Sequence, residues 1–270
     1  MKADFHMHTN FSLDATYPLE EMIEGAIKKG LKTICITDHE DLDWPNPTCE
    51  GEFQIDLEKY VSTIQQLKET YKDRIEVLMG IEFGLQTHLG ESYKKIAKGY
   101  PFDYILGSIH LLDGVDPYWG TYFGEAVTDE IGYRRAFEIT LENLKSCEYF
   151  DVLGHMDYAV RYGVQREHSY RPKEYMEIID EILKILIQNN KGIEFNTGGW
   201  KYGLPFAHPH QEILKRYKEL GGEIITIGSD AHRPEHIAYD FHKVSDVLKA
   251  CGFKYYTEFR QRKPYFCALL

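Results

Sequence analysis

Seven short apolar runs recur along this chain, with helix-period segments filling the intervals between them. The runs are Asp4–His8, Thr33–Thr37, Ile75–Phe83, Tyr104–His110, Val152–His155, Gly192–Asn196 and Glu223–Ser229. Several are bounded by Gly, Asp or Ser, the look of parallel strands buried on both faces. Between them, Leu19, Met22, Ile23, Ala26 and Ile27 form one helical apolar stripe, with Pro18 at the first turn and Gly30 as the stop. Tyr175, Met176, Ile179, Ile182, Leu183, Leu186 and Ile187 form another, ending near Asn189-Asn190. No Gly-rich phosphate fingerprint follows the first strand, which counts against an open dinucleotide-binding sheet. Alternating strands and helices over 270 residues point instead to a β/α barrel. No repeat, low-complexity segment or linker divides the chain, so a single domain over 1–270 is expected.

Charge and cysteine usage exclude several functions. Lys and Arg number 31 against 43 Asp and Glu, a formal net charge of −12. Binders of duplex nucleic acid or of anionic membrane need basic patches, so neither partner is expected. No apolar run approaches the ~20 residues of a membrane span, and Asp4 stands where a signal peptide would begin its apolar core. The five cysteines (Cys35, Cys49, Cys147, Cys251 and Cys267) are scattered and lack C-x-x-C spacing. A reduced, cytoplasmic setting accounts for them, with Cys35 as a small core residue in a strand.

Six of the seven runs deliver possible metal ligands at or just past their ends. Side chains alternate across a strand, so His6 and His8 share one face with Asp4. Asp230 and His232 repeat that spacing after the last run, and Asp38-His39 follows the second. His110 and His155 each close a run. Glu82 is an acid inside an apolar, glycine-flanked stretch, where an unpaired carboxylate is costly to bury. Taken singly, each histidine reads as a hydrogen-bonded structural residue and Glu82 as half of a buried salt bridge. Six coincidences at matching positions read differently, because barrel active sites form at the carboxyl ends of the strands. Imidazole-plus-carboxylate ligation suits zinc, manganese or iron over magnesium or calcium, and clustered divalent ions can ionise water and clamp a displaced phosphoryl group.

His6-Met7-His8-Thr9, Thr37-Asp38-His39, Gly80-Ile81-Glu82, Gly107-Ser108-Ile109-His110, Gly154-His155 and Ser229-Asp230-Ala231-His232 resemble the motifs of the polymerase and histidinol phosphatase (PHP) superfamily. Ser12-Leu13-Asp14, His155-Met156-Asp157 leading to Arg161-Tyr162-Gly163, and Asn196-Thr197-Gly198-Gly199 bring the chain nearest its monofunctional histidinol-phosphate phosphatases. The resemblance implies an α/β fold, a distorted (β/α)7 TIM-like barrel, with three divalent transition-metal ions, zinc first and manganese or iron as alternatives. One ion would take His6, His8, Glu82 and Asp230, a second Glu82, His110 and His155, and a third Asp14, His39 and His232. Asp14 departs from relatives that carry histidine there. Arg161 resembles the family's phosphate-binding arginine, and Lys201 stands where relatives often have an arginine, without that residue's bidentate fork.

The implied reaction is hydrolysis of a phosphate monoester, L-histidinol phosphate to L-histidinol and phosphate in histidine biosynthesis. A metal-held hydroxide is the expected nucleophile, and Asp14, His232 or a water the expected proton donor. Rival readings are a nucleotide or phosphotyrosine phosphatase of the same superfamily, a metal-dependent amidohydrolase, and a non-catalytic metal-binding module. Two long loops, Glu40–Gln54 and Leu111–Thr128, are expected to contact substrate. His208 and His210 read as loop or helix-cap histidines, and His88, His168, His236 and His242 are not expected to ligate.

Overall fold

All seven runs form strands or strand-like edges. A computed structural model describes residues 1–45 and 53–269, and in it the strands lie parallel and side by side. They are β1 (Ala3–Asp4), β2 (Thr33–Ile36), β3 (His39–Glu40), β4 (Glu76–Gly84), β5 (Tyr104–Ser108), β6 (Val152–Leu153), β7 (Gly192–Asn196) and β8 (Ile225–Gly228). The order is β1-β2-β4-β5-β6-β7-β8, and β3 continues the line of β2 by pairing His39 with Glu82 on the far half of β4. Phe5 N–H donates to Ile227 O (2.9 Å) and His8 N–H to Ala231 O (2.8 Å), so the segment past β1 closes against the segment past β8. Eight strands thus make seven staves of a nearly closed, distorted barrel.

The helices coat the barrel as the stripes require. In α1 (Leu19–Lys28) the buried residues include Leu19, Met22, Ile23 and Ala26, and Gly30 ends the turn at φ 76°. Next come α2 (Leu57–Tyr71), α3 (Gly90–Gly99), α4 (Asp129–Leu144) and α5 (Met176–Gln188), each leading into the following strand. Ile179, Ile182, Leu183 and Leu186 are the buried face of α5. A one-turn α6 (Gly198–Lys201), then α7 (Gln211–Glu219) and α8 (Phe241–Ala250), complete the coat. Cys35 is fully buried in β2, as expected of a small core residue.

One element escaped the sequence reading. An antiparallel hairpin, β9 (Tyr255–Arg260) and β10 (Lys263–Ala268), turns through Gln261 and Arg262, both at positive φ. It seals the amino end of the barrel. Thr257 Oγ1 accepts from Ile225 N–H, Phe259 packs 5.3 Å from the Tyr104 ring, Arg260 pairs with Glu76, and Arg262 Nε donates to Asp151 Oδ2 (2.5 Å). With that end closed, the carboxyl end is left for chemistry.

Candidate metal centre

The chain continues past β1 in extended form, so His6 and His8 both point into the barrel mouth with their side chains fully buried. Asp4 anchors the junction, accepting from Ser229 N–H (3.0 Å), Ser229 O–H (2.5 Å) and Ala238 N–H (2.9 Å). That ties the first motif to the last. Asp230 itself sits at φ 53°, a strained backbone setting for a non-glycine residue of the kind that collects at functional sites.

Four ligand atoms converge at this point. His6 Nε2 lies 3.1 Å from His8 Nε2, 3.2 Å from Glu82 Oε2 and 3.7 Å from Asp230 Oδ1. His8 Nε2 is 3.5 Å from each of the two carboxylate oxygens. Tetrahedral ligands about 2.0–2.1 Å from a zinc ion stand about 3.3 Å apart. The spacing matches that hole. The other oxygen of Glu82 serves a second group, with His110 Nε2 at 3.2 Å and His155 Nε2 at 3.1 Å, while Ser108 O–H donates to it at 2.5 Å. A third group is more open. Asp14 Oδ2 lies 3.0 Å from His232 Nε2 and 3.7 Å from His39 Nε2, and the His8 ring is stacked between His39 and His232 at 4.2 Å from each. All nine residues expected as ligands are therefore brought to one mouth.

Electrostatics keeps the acids of this mouth ionised. Burial works to raise Glu82, yet His6, His110 and His39 outweigh it and hold the carboxyl well below the usual range. Burial likewise opposes charge on Asp230, which Lys201 and His6 overcome. Burial, then His232 and His39, push His8 well below its ordinary value, so its ring is held neutral and able to donate a lone pair. Among the buried polar atoms without a hydrogen-bond partner, His39 Nδ1, Asp41 Oδ1 and His155 Nδ1 belong to this mouth, with His39 Nδ1 3.2 Å from Glu82 Oε2. Crowded imidazoles and carboxylates without a thiolate are the donor set of zinc, manganese or iron. The residues fit such ions.

Supporting residues that the sequence reading passed over stand behind these donors. Glu194 Oε1 faces His6 Nδ1 at 2.7 Å, and its Oε2 accepts from His155 N–H and Asn196 Nδ2, both at 3.0 Å. Gly228 is required beside it, since a Cβ there would overlap Glu194 Oε1 and His6 Cβ. Asp41 Oδ2 faces His110 Nδ1 at 2.8 Å. Such carboxylates fix the tautomer of a ligating histidine and raise its basicity. Both could have been found: Glu194 is an acid inside an apolar strand, as Glu82 is, and Asp41 follows His39 at the same two-residue spacing as His6 and His8. His208 does lie in the connection between α6 and α7, but it is fully buried against Arg161, while His210 caps α7 by accepting from Glu212 N–H (3.2 Å). Among the described residues no group of three or more close metal-ligand atoms includes His88, His168, His236 or His242, although His236 lines the mouth.

The mouth is a cavity of about 480 Å³. Both long loops reach it, the first through Trp44 and Phe53 and the second through Asp116, Tyr118 and Trp119. The middle of the first loop, with Pro47 and Cys49, lies outside the described residues. Arg161 follows β6 and lies in the wall, its Nη2 3.3 Å from Asp230 Oδ2. Lys201 turns its ammonium onto the backbone carbonyls of Asp230 (2.5 Å) and Ser229 (3.3 Å), and burial lowers its pKa to about 8.

Fold and donor set together define a β/α barrel whose carboxyl mouth is built for divalent cations. The PHP domain family matches residues 4–198, and the chain belongs to that family. It is 36% identical to a probable histidinol-phosphatase of Clostridium acetobutylicum over 94% of this chain and 95% of that one. It is 30% identical to the histidinol-phosphatase of Lactococcus lactis subsp. lactis over 93% and 92%. A crystal structure of the histidinol phosphate phosphatase from that organism, complexed with zinc, L-histidinol and phosphate, aligns with a TM-score of 0.85 at 29% identity and covers 98% of both chains.

Proposed function

We propose that this protein is a metal-dependent histidinol-phosphatase, hydrolysing L-histidinol phosphate to L-histidinol and phosphate in the cytoplasm as a step of histidine biosynthesis. The observation that carries the reading is the gathering of His6, His8, His39, Glu82, His110, His155 and His232 into close donor groups at one barrel mouth, with Asp14 and Asp230 beside them, in a fold shared with an enzyme complexed with zinc, L-histidinol and phosphate. Three ions are proposed, zinc first: one among His6, His8, Glu82 and Asp230, one among Glu82, His110 and His155, and one among Asp14, His39 and His232. Divalent ions there supply an ionised water near neutral pH and offset the charge of the phosphate.

The chain's own groups do the rest. Arg161 offers its Nη edge to two phosphate oxygens, the bidentate geometry for which arginine is suited. Lys201 holds the Asp230 backbone in its left-handed turn and adds positive potential behind the phosphate. The leaving alkoxide needs a proton. Asp14 and His232 line the mouth, and because His232 and His39 outweigh burial and hold the Asp14 carboxyl ionised, a water hydrogen-bonded beside Asp14 and His232 is proposed to supply it. The ammonium and imidazole of the substrate suit a mouth lined by Asp116, Trp44, Phe53, Tyr118 and Trp119, where aromatic faces and a carboxylate accept a cation. No helix among the described residues is long and apolar enough to cross a membrane.

The test is kcat/KM for histidinol phosphate against nucleotides and phosphotyrosine, with zinc-, manganese- and iron-loaded protein. Preference for histidinol phosphate is expected. A preference for another ester overturns the substrate and leaves the phosphatase, and no turnover of any ester with any metal overturns both.

A further inference from the structure

Arg161 is held from behind by a buried relay. Its Nε donates to His208 Nε2 at 2.9 Å, and Nδ1 of the same imidazole faces Asp157 Oδ1 at 2.5 Å. A guanidinium can only donate, so His208 Nε2 is the acceptor and the ring proton sits on Nδ1, donated to Asp157. Asp157 is pinned in turn, its Oδ2 accepting from Tyr170 O–H (3.2 Å) and His210 N–H (2.8 Å). Tyr158 and Tyr202 flank the guanidinium at 5.1 and 4.6 Å from their ring centres. Gly198 makes room, since a Cβ there would stand 2.6 Å from Arg161 Nη2. With Nε engaged behind and two rings beside the guanidinium, the Nη edge is turned to the mouth, where Nη2 meets Asp230 Oδ2 at 3.3 Å.

We propose that His208 is a positioning residue, which with Asp157 behind it locks the fork of Arg161 in the orientation that meets the phosphate of the ester. The inference rests on the reading of Arg161 as the phosphate contact. An imidazole suits the task better than a second carboxylate would. It satisfies the Nε hydrogen bond without adding another negative charge to the one Asp230 already brings to Nη2. Burial works against charge on His208 and outweighs the pull of Asp157, so the ring stays neutral as the geometry requires.

The decisive measurements are KM for histidinol phosphate and competitive inhibition by inorganic phosphate, in single and double variants. Gln places its amide oxygen near the position of Nε2 and can still accept from Arg161. Asn places its amide near Nδ1 and keeps only the contact with Asp157. H208A and H208N should weaken phosphate binding about tenfold or more, the usual loss with a hydrogen bond to a charged group, at unchanged zinc content. H208Q should recover most of it, and H208A should add nothing to R161A. If H208A fails to fold, the Gln and Asn variants decide alone, and equal values refute the proposal. If R161A weakens phosphate binding but H208A does not, or if the loss in H208A persists undiminished on top of R161A, the positioning role is wrong. If R161A itself leaves KM and phosphate inhibition unchanged, the reading of Arg161 falls first.

Discussion

Glu194 stands behind the metal centre rather than in it, and replacing it with Gln separates those two roles. For His6 Nε2 to present a lone pair, Nδ1 must carry the ring proton, and Glu194 Oε1 accepts that proton at 2.7 Å. The same carboxylate accepts from His155 N–H and Asn196 Nδ2 through Oε2. A glutamine has one acceptor for these three donors. If its oxygen stays with His6, its NH2 confronts two donors, and two hydrogen bonds to a charged group are lost, each worth about 1.5–3 kcal/mol. If it turns over, its NH2 faces His6 Nδ1 and drives the ring proton onto Nε2, the atom a metal needs. Removing such a carboxylate typically costs about 10–100-fold in metal affinity, or about 1.4–2.7 kcal/mol. Because His8, Glu82 and Asp230 remain, the loss should fall on one ion and leave the most open group untouched. Competition with a chromophoric zinc chelator, alongside metal stoichiometry and a melting curve, measures it. Zinc affinity and stoichiometry within twofold of the parent would falsify the argument that Glu194 sets the tautomer of His6.

Two further perturbations probe other parts of the molecule. Glu82→Gln should lose both metal content and turnover, since the two oxygens of Glu82 serve separate ligand groups, whereas His88→Ala should lose neither, its exposed ring meeting the exposed Asp43; elemental analysis of the two purified variants decides, and equal metal content sinks the reading. Phe259→Ala removes a ring only 3% exposed where the hairpin seals the barrel. It should cost about 3–5 kcal/mol in denaturant unfolding with KM unchanged, because the hairpin lies at the end away from the mouth, and a cost under about 1 kcal/mol refutes the seal.

The barrel was readable because its strands are buried on both faces. Val77, Leu78, Met79 and Ile81 in β4 all lie at 3% exposure or less, and a run of that kind has few alternatives to a parallel sheet between layers. The β9–β10 hairpin obeys a different rule. Tyr256 and Phe259 are buried while Tyr265 and Phe266 are about half exposed, so no continuous apolar run exists. Pro264 further lowers the strand signal. Such an element becomes visible only once the open barrel end it covers is known. Nor could spacing show that the second stave is broken. Thr37 and Asp38 stand between its two parts; the Asp38 carbonyl still accepts from Glu82 N–H (3.0 Å), while its carboxylate accepts from Thr9 N–H (2.6 Å), Thr9 O–H (2.8 Å) and Ser12 O–H (2.6 Å).

The donors of the centre were readable for a related reason, and the supports of Arg161 were not. A histidine or acid at the carboxyl end of an apolar run is conspicuous, since a buried polar group needs a partner and none is near in sequence. Asp157 and His208 lack that contrast. Asp157 sits in a turn between Met156 and Tyr158, past the end of the β6 run, and His208 lies between Ala207 and Pro209 with no periodic frame around it. What makes them significant is a contact across 47 residues, Arg161 to His208, which local pattern cannot encode. Lys201 shows the converse. Its position marked it as a phosphate ligand, yet its ammonium is spent on two backbone carbonyls of the strained turn at Asp230. A lysine reaching that turn holds a metal-facing carboxylate in a backbone conformation it would otherwise avoid, so substituting it should disturb the ions as well as the phosphate.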